Sequence, residues 1–220
     1  MRVLELFSGT GSVGRAFEQA GWEVVSLDMD RKCAASIHCD VLTWDCAVFP
    51  PDHFDCVWAS PPCTQYSIAR TTAKTPRNLE LADSIVRRTL EIIAYFSPKV
   101  WWIENPWTGL LKSREVVQGL PQLVVDYCAY GSLYRKRTMF LTNAVWSFRR
   151  CAGVGRCPSM VGTRHIKSAQ RRPVRINGIL TIGDMCTLDE LHALPDALTE
   201  EIVRATMSNQ VGPAPAHPLG

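Results

Sequence analysis

Two reactive side chains follow two apolar segments of the sequence, and each is flanked by proline. Cys63 ends the sequence Ser-Pro-Pro-Cys, and Glu104 lies in the sequence Ile-Glu-Asn-Pro. A cysteine becomes a strong nucleophile when nearby positive charge lowers its pKa. A carboxyl group can exchange a proton near neutral pH when burial raises its pKa. A thiol and a carboxylate at one edge of a sheet therefore predict nucleophilic catalysis supported by proton transfer.

A glycine-rich segment and two acids indicate a nucleotide-like cofactor. Residues 9–14 read Gly-Thr-Gly-Ser-Val-Gly after an apolar run, a pattern that allows a tight turn and close approach of a ligand to a helix N-terminus. Asp28 ends the next apolar run, where an acid can accept hydrogen bonds from a ribose diol. Asp40 could reach an adenine amino group, or it could be a solvated loop acid or helix cap. The pattern by itself does not separate a dinucleotide from another adenosine cofactor.

The elements that must position these residues alternate along the first two thirds of the chain. Strands are predicted at residues 2–7, 23–28, 36–40, 55–60, 99–103, 123–128 and 138–142. Helices are predicted at residues 12–20, 79–96 and 196–207. Alternation of strands and helices predicts an α/β fold with a doubly wound, mostly parallel sheet and right-handed crossovers. In such a sheet the ligands bind just beyond the carboxyl ends of the strands.

Composition fits a globular protein of about one domain with a small appendage. Of the 220 residues, 46% are hydrophobic and 20% are charged, which argues against intrinsic disorder. No apolar run approaches the roughly 18 residues that span a bilayer, and the first residues lack a signal-peptide pattern. We therefore expect no membrane partner, no targeting signal and a cytoplasmic location. The nine cysteines should be reduced there.

Positive charge is concentrated in the second half of the chain. Residues 127–183 contain no Asp or Glu but hold 11 of the 24 Lys and Arg residues. This distribution predicts a surface that binds a polyanion, although a merely solvated basic surface is the alternative. The cations expected to contact phosphate are Arg149, Arg150, Arg164, Lys167, Arg171 and Arg172.

Residues 144–220 differ in character from residues 1–143, and we place a domain boundary between them. A small basic appendage is expected first, then the helix at 196–207 and a disordered tail from Gly212. The appendage contains a group of potential zinc ligands, namely Cys151, Cys157, His165 and, more distantly, Cys186. Their spacing matches no standard zinc finger, so no metal is assigned, and packing of these cysteines in a phosphate-contacting loop is the simpler interpretation.

Four segments in order resemble the cytosine C5 DNA methyltransferases. LFSGTGSVG, SPPC, IENP and YGSLYRKRT have the order and spacing of that family over about residues 2–143, and the compact form looks most like the small enzymes of bacteriophages and large viruses. The resemblance implies a Rossmann-like class I methyltransferase fold and S-adenosyl-L-methionine as cofactor. It also implies a cytosine flipped out of DNA as substrate, action wherever the DNA lies, and a phage or viral origin.

The resemblance also assigns roles to individual residues. The Cys63 thiolate would add to C6 of cytosine, Glu104 would contact N3 and the exocyclic amino group, and C5 would then accept the methyl group. Cofactor-binding residues carried over from the family are Phe7, Ser8, Gly9, Thr10, Gly11, Asp28, Met29, Asp40, Val41 and Pro62. Arg135 and Arg137 are carried over as catalytic cations, although a one-residue shift of the motif leaves open whether they or Lys136 support the cytosine.

The sequence departs from the family near its C-terminal end. Pro106 stands where many relatives have valine, and residues 144–220 are too few for a long target-recognition region. Residues 209–213, Asn-Gln-Val-Gly-Pro, are only a faint echo of the family's closing motif. We expect short or relaxed sequence specificity, or a partner that supplies it.

Three other functions fit part of the sequence, and the oligomeric state is open. The substrate could be tRNA, because a tRNA cytosine methyltransferase family shares these motifs, but residues 64–75 lack the signature expected for it. A catalytically silent DNA-binding homologue would have lost Cys63 or Glu104, and both are present. A nicotinamide enzyme would explain the glycine-rich segment but leave those two residues without a role.

Overall fold

Seven strands form one sheet in the computed structural model, which describes residues 1–70, 73–169, 174–176, 179–181 and 186–208. The strands are β1 (Arg2–Leu6), β2 (Glu23–Asp28), β3 (Ile37–His38), β4 (Cys56–Ala59), β5 (Val100–Pro106), β6 (Gln122–Asp126) and β7 (Arg137–Thr142). Their order is β3-β2-β1-β4-β5-β7-β6. The first five pair in parallel, and β7 runs antiparallel to both of its neighbours. The predicted mostly parallel α/β sheet is confirmed, with β3 shorter than expected.

In the described part of the chain, four helices flank or follow this sheet. They are α1 (Ser12–Gln19), α2 (Leu79–Phe96), α3 (Leu188–His192) and α4 (Asp196–Met207). The three predicted helices are confirmed, and α3 is an addition. Smaller elements are the 3₁₀ turns Cys46–Val48, Leu111–Ser113, Glu115–Val117 and Tyr127–Tyr130, and the hairpins β8 (Met160–Val161) with β9 (Arg164–His165) and β10 (Val174–Ile176) with β11 (Ile179–Thr181). None of the described helices is long and apolar enough to cross a membrane.

Alternating side chains of the strands fill two cores, one on each face of the sheet. Val3 of β1 and Trp58 of β4 pack on the face that α1 and α4 cover. Their sequence neighbours Leu4 and Val57 pack on the opposite face against α2. Successive residues of a strand point to opposite faces, so strands that are apolar throughout require helices on both sides.

Helix α4 belongs to the core of the sheet. Leu198 and Ile202 are fully buried in the same cluster as Phe17 of α1, and the Trp102 indole Nε1 donates a buried hydrogen bond of 3.0 Å to Thr206 Oγ1. The structure therefore does not confirm a separate C-terminal appendage over residues 144–220. Its segments from 144 to 169 and from 186 to 208 continue the fold of the sheet.

Several expectations fall on residues outside the described part of the chain. These are the phosphate contacts of Arg171 and Arg172, the echo of the closing motif at residues 209–213, and the disordered tail from Gly212. They stay predictions.

Candidate active site

A cleft of about 1710 Å³ lies at the carboxyl ends of the parallel strands. Ligand pockets usually measure about 300–1,000 Å³, so this cleft has room for a cofactor together with a base. The predicted site residues that line it are Phe7, Ser8, Gly9, Thr10, Asp28, Met29, Asp40, Val41, Pro62, Cys63, Glu104, Arg135 and Arg137. Gly11 does not line the cleft, but it belongs to the loop that does.

The glycine-rich loop is fixed to the end of β2 by hydrogen bonds. The Phe7 N–H donates to Leu27 O at 2.8 Å, and the Gly9 N–H donates to Asp28 Oδ2 at 2.9 Å. Gly9 and Gly11 have φ angles of 50° and 66°, in the left-handed region that glycine adopts readily. Phe7 also has a positive φ, 60°, and such strain in a non-glycine residue, about 1–3 kcal/mol, is common where a backbone is shaped for a ligand.

Glu5 supports the same loop from inside the sheet. Its side chain is 3% exposed, and Oε1 accepts a hydrogen bond of 2.9 Å from the Gly14 N–H. A Cβ atom at residue 14 would lie 2.5 Å from Glu5 Oε2, so any larger residue there would displace the Glu5 carboxylate. Burial raises the pKa of Glu5 from its ordinary value of 4.5 to about 7, against the opposing effect of the Gly14 hydrogen bond. The sequence analysis missed this residue, although an acid inside an apolar strand is a usable signal.

The two candidate cofactor acids have similar surroundings. Asp28 Oδ1 accepts a hydrogen bond of 2.8 Å from the Asp30 N–H, and Asp40 Oδ1 accepts one of 3.0 Å from the Leu42 N–H. A carboxylate has about four lone-pair sites, so both acids keep capacity for a ligand. Next to them, Val41 is buried and Met29 is 70% exposed.

Asn105 ties the thiol loop to the carboxylate strand. This side chain is 1% exposed, and its Nδ2 donates a hydrogen bond of 3.0 Å to Pro61 O. Cys63 lies two residues after Pro61 and is exposed to the cleft. The loop after β4 and the end of β5 are thereby held in register, which keeps Cys63 and Glu104 at a fixed separation.

Cys63 is a thiol at rest. Surrounding protein atoms remove water from the sulfur and raise its pKa, and the charge of Glu104 raises it further. The ammonium group of Lys136 lowers the pKa but does not outweigh these effects. The interaction with both charges places the sulfur, the carboxylate and the ammonium group in one electrostatic unit.

One carboxylate oxygen of Glu104 is buried and has an ion pair but no hydrogen bond among the described residues. The residue is 7% exposed, and its Oε1 accepts no hydrogen bond within the described part of the chain. Lys136 Nζ lies 3.5 Å away, and it donates instead to Leu191 O at 3.0 Å. Buried polar atoms nearly always have a partner, so this oxygen is positioned for a ligand in the cleft.

Lys136 remains protonated in this setting. Burial works to lower its pKa, but Tyr127, Glu104 and Cys63 raise the pKa above its usual range. Its Nζ also lies 4.9 Å from the centroid of the Tyr127 ring, where the face of the aromatic ring attracts a cation.

The basic motif consists of three consecutive cations, Arg135, Lys136 and Arg137, which pair with two different carboxylates. Arg135 Nε and Arg137 Nε lie 3.0 and 3.1 Å from Asp126 Oδ1, whereas Lys136 faces Glu104. Lys136 was left out of the predicted catalytic set. Arg135 and Arg137 line the cleft, and their catalytic role stays a prediction.

Helix α3 forms a wall of the cleft that the sequence analysis did not foresee. The Tyr134 hydroxyl donates to Glu190 O, and Lys136 donates to Leu191 O, so the basic motif is bonded to the backbone of this helix. Thr187 and Glu190 form a capping box at its N-terminus. The Thr-x-x-Glu spacing was the available signal.

Three of the predicted phosphate-contacting cations form ion pairs within the protein. Their carboxylate partners lie in β6 and in the C-terminal helices. The pairs are Arg149 with Glu201 at 3.5 Å, Arg150 with Asp126 at 2.9 Å and Lys167 with Glu190 at 2.7 Å. These contacts fix the basic segment to the core, and Arg164 lines the cleft.

The sheet order, the glycine-rich loop after β1 and the acid at the end of β2 define a Rossmann-like α/β fold with its ligand cleft at the carboxyl edge of the sheet. A solved structure of the methyltransferase EhMeth from Entamoeba histolytica has the same fold, with a TM-score of 0.59 and 11% sequence identity over 95% of this chain and 98% of that one.

The sequence comparisons define the family more narrowly. The family model of the C-5 cytosine-specific DNA methylases matches residues 1–119. A Frog virus 3 (isolate Goorha) protein named "Probable DNA (cytosine-5)-methyltransferase" is 42% identical, with 73% of this chain and 79% of that protein aligned. The Type II methyltransferase M.DdeI of Desulfomicrobium norvegicum is 23% identical over 64% of this chain and 40% of its own length. The chain belongs to the C-5 cytosine-specific DNA methylase family, whose general activity is methylation of cytosine C5 in DNA.

Proposed function

We propose that this protein transfers a methyl group from S-adenosyl-L-methionine to C5 of a cytosine in DNA through a covalent bond between Cys63 and C6. The observation that carries this proposal is that Cys63, Glu104 and Lys136 line one cleft at the edge of the sheet, with Lys136 Nζ 3.5 Å from Glu104 Oε1. The glycine-rich loop opens into the same cleft.

The residues at the ends of β1 and β2 fit the proposed cofactor. The backbone of Gly9 approaches the cleft without a side chain, and the carboxylate of Asp28 offers acceptors for a ribose diol. Asp40 and Val41 would face the adenine. When bound, S-adenosyl-L-methionine supplies an electrophilic methyl group on a sulfonium.

The chemistry of the protein residues follows from the electronic structure of cytosine. C5 is a poor nucleophile until the Cys63 sulfur forms a bond to C6 and the ring electrons move towards C5 and N3. As the S–C6 bond forms, Glu104 passes the proton that Cys63 releases to N3 and so stabilises this electron-rich ring. After C5 is methylated, its proton leaves to a base and the S–C6 bond breaks, which restores the ring. The proton at N3 then returns to the sulfur through Glu104, which restores the resting thiol.

Entry of the base would also prepare the nucleophile. The negative charge of Glu104 is one cause of the raised pKa of Cys63. When Glu104 shares a proton with N3, that repulsion falls and the attraction of Lys136 remains. Thiolate formation is thus coupled to occupation of the site, which protects the resting thiol from side reactions.

The substrate cytosine must leave the base stack to reach this unit. Glu104 is buried in a concave cleft, and a base within a duplex cannot enter such a cleft unless it is flipped out. Arg135 and Arg137 would then contact the flipped nucleotide or its phosphate, because both keep exposed surface at the rim.

The test combines product mapping with trapping of the adduct. The full chain is incubated with DNA and labelled S-adenosyl-L-methionine, and bisulfite sequencing locates 5-methylcytosine. Cys63→Ala should give no product, whereas Cys46→Ala, a buried cysteine outside the cleft, should keep activity.

DNA that contains 5-fluorocytosine should become covalently attached to the wild type, because fluorine blocks loss of the C5 substituent and hence release of the sulfur. A parallel incubation with tRNA shows whether DNA or tRNA is the substrate. Label at cytosine N4 or adenine N6, or methylation by Cys63→Ala, would contradict the mechanism.

A further inference from the structure

Four potential metal ligands converge outside the catalytic unit, which consists of the side chains of Cys63, Glu104 and Lys136. The Sγ atoms of Cys128, Cys151 and Cys157 and a ring nitrogen of His165 all lie within 4.8 Å of one another. His165 Nε2 is 3.6 Å from Cys151 Sγ and 3.7 Å from Cys157 Sγ. The three cysteines are free thiols.

The two sulfur–nitrogen separations match a tetrahedral zinc site. Bonds of about 2.3 Å to sulfur and 2.0–2.1 Å to nitrogen at tetrahedral angles place sulfur about 3.6 Å from nitrogen. The two measured sulfur–nitrogen distances agree with that value. A thiol–imidazole hydrogen bond would explain one such contact, but it would not bring three thiols to the same imidazole.

We propose that Cys128, Cys151, Cys157 and His165 bind one zinc ion. The site is structural, because four protein ligands complete the tetrahedron and leave no position for water or substrate. It is independent of the proposed methyl-transfer mechanism, because none of the four residues belongs to the catalytic unit.

The ligands come from segments that are distant in the sequence. Cys128 lies in the 3₁₀ turn directly after β6, whereas His165 ends the two-residue strand β9. The segment between Cys151 and His165 contains only one hairpin of two-residue strands. This segment has little regular secondary structure, and zinc binding can add to its stability.

Charges around the cluster favour bound zinc. Zinc with three thiolates and one neutral imidazole carries a net charge of −1. Arg150 and Arg135 lie next to it, each bonded to Asp126, and Asp126 Oδ2 also accepts a hydrogen bond of 3.2 Å from the Cys151 N–H. Such contacts orient metal ligands and balance the charge of the site.

The zinc would fix one wall of the active-site cleft. Arg164, His165 and Ile166 line the cleft, and the Ile166 N–H donates to Ser159 O at 3.0 Å. Because Cys128 follows β6 of the main sheet, the metal would connect this wall to the sheet that carries the catalytic residues.

The ligand set differs from the one considered from the sequence. Cys186 was the fourth candidate, but it is 3% exposed in the apolar core shared with α4 and is not part of the cluster. Cys128 takes its place. The distinction gives the proposal a matched control, because Cys186 is as buried as Cys128.

The experiment measures metal in the full chain purified without chelators. Mass spectrometry of the metal content should find about one zinc per chain in the wild type. Cys128→Ser and Cys157→Ser should lower zinc affinity more than about 100-fold, whereas Cys186→Ser and Cys63→Ala should keep the metal. Replacing zinc with cobalt should give the absorption of thiolate-to-cobalt charge transfer in a tetrahedral site.

A further variant tests the proposal even if a serine variant fails to fold. His165→Cys offers four thiolates in the same place, so it should still bind zinc and cobalt even if Cys157→Ser does not fold. Wild-type protein without zinc that also fails to bind cobalt through thiolates would overturn the proposal. Loss of zinc from Cys186→Ser together with its retention in Cys128→Ser would do the same.

Discussion

Replacing Glu5 with glutamine should make the stability of the protein less sensitive to pH. Burial raises the pKa of this carboxyl group from 4.5 to about 7. Between those values the folded protein binds a proton that the unfolded chain releases, so stability falls as pH rises through this window. Above about pH 7 the carboxylate is charged in both states, and the full destabilisation is present.

The magnitude follows from the width of that window. The interval between 4.5 and about 7 corresponds to about 3 kcal/mol, at 1.36 kcal/mol for each pH unit. Glutamine imitates the protonated acid, and its amide oxygen can still accept the hydrogen bond from the Gly14 N–H. We expect Glu5→Gln to match the wild type near pH 4.5 and to exceed its stability by up to about 3 kcal/mol at pH 8.

The assay is denaturant unfolding at a series of pH values from 4.5 to 8.5, with thermal unfolding in parallel. A gain of about 3 kcal/mol corresponds to an increase in Tm of roughly 6–12 °C for a chain of this size. Glu23→Gln, which replaces an exposed acid at the start of β2 that is not among the charges acting on Glu5, is the matched control and should follow the wild type at every pH. If Glu5→Gln and the wild type lost stability in parallel between pH 5 and 8, the buried carboxyl group would not titrate as argued.

Three further predictions concern the catalytic unit and the core. Asn105→Ala removes the donor to Pro61 O and should lower the free energy of unfolding by about 1–3 kcal/mol. Asn105→Ala should also slow methylation more than a variant that loses the same stability at a position away from the cleft. If both variants slowed methylation equally, the positioning role of Asn105 would be contradicted. Lys136→Met should slow methylation by about 10²–10⁴-fold and slow alkylation of the catalytic thiol by iodoacetamide; unchanged alkylation would show that the ammonium group does not assist the thiol. Thr206→Val deprives the buried Trp102 indole of its acceptor and should cost about 1–3 kcal/mol in denaturant unfolding, with methylation retained at low temperature; an unchanged midpoint would refute this.

The main sheet and the location of the site follow from patterns in the sequence. Apolar runs of strand length between helical repeats specify a parallel sheet, and the bounds of α2 agree with the predicted 79–96. The end of each strand then identifies the cleft, because ligands bind beyond the carboxyl edge. That rule predicts that Asp28, Cys63 and Glu104 share one cleft, and all three line it.

The parts that the sequence did not predict depend on contacts between distant segments. Three adjacent cations are equivalent in a sequence, and only the position of Asp126 determines that Lys136 faces Glu104. Cys128 joins the metal cluster because β6 ends beside the segment that follows Cys151, which no spacing rule reveals. Helix α3 has a single turn and too few apolar residues for a periodic signal.

The position of α4 has a consequence for synthesis of the protein on the ribosome. Val13 and Phe17 of α1 are among the first apolar side chains to be translated, yet their partners Leu198 and Ile202 come late in the chain. The apolar face of α1 therefore stays exposed during most of the translation of the chain, and exposed apolar surface promotes aggregation. Cells that produce this enzyme should have chaperones bound to the emerging polypeptide until the last helix leaves the exit tunnel.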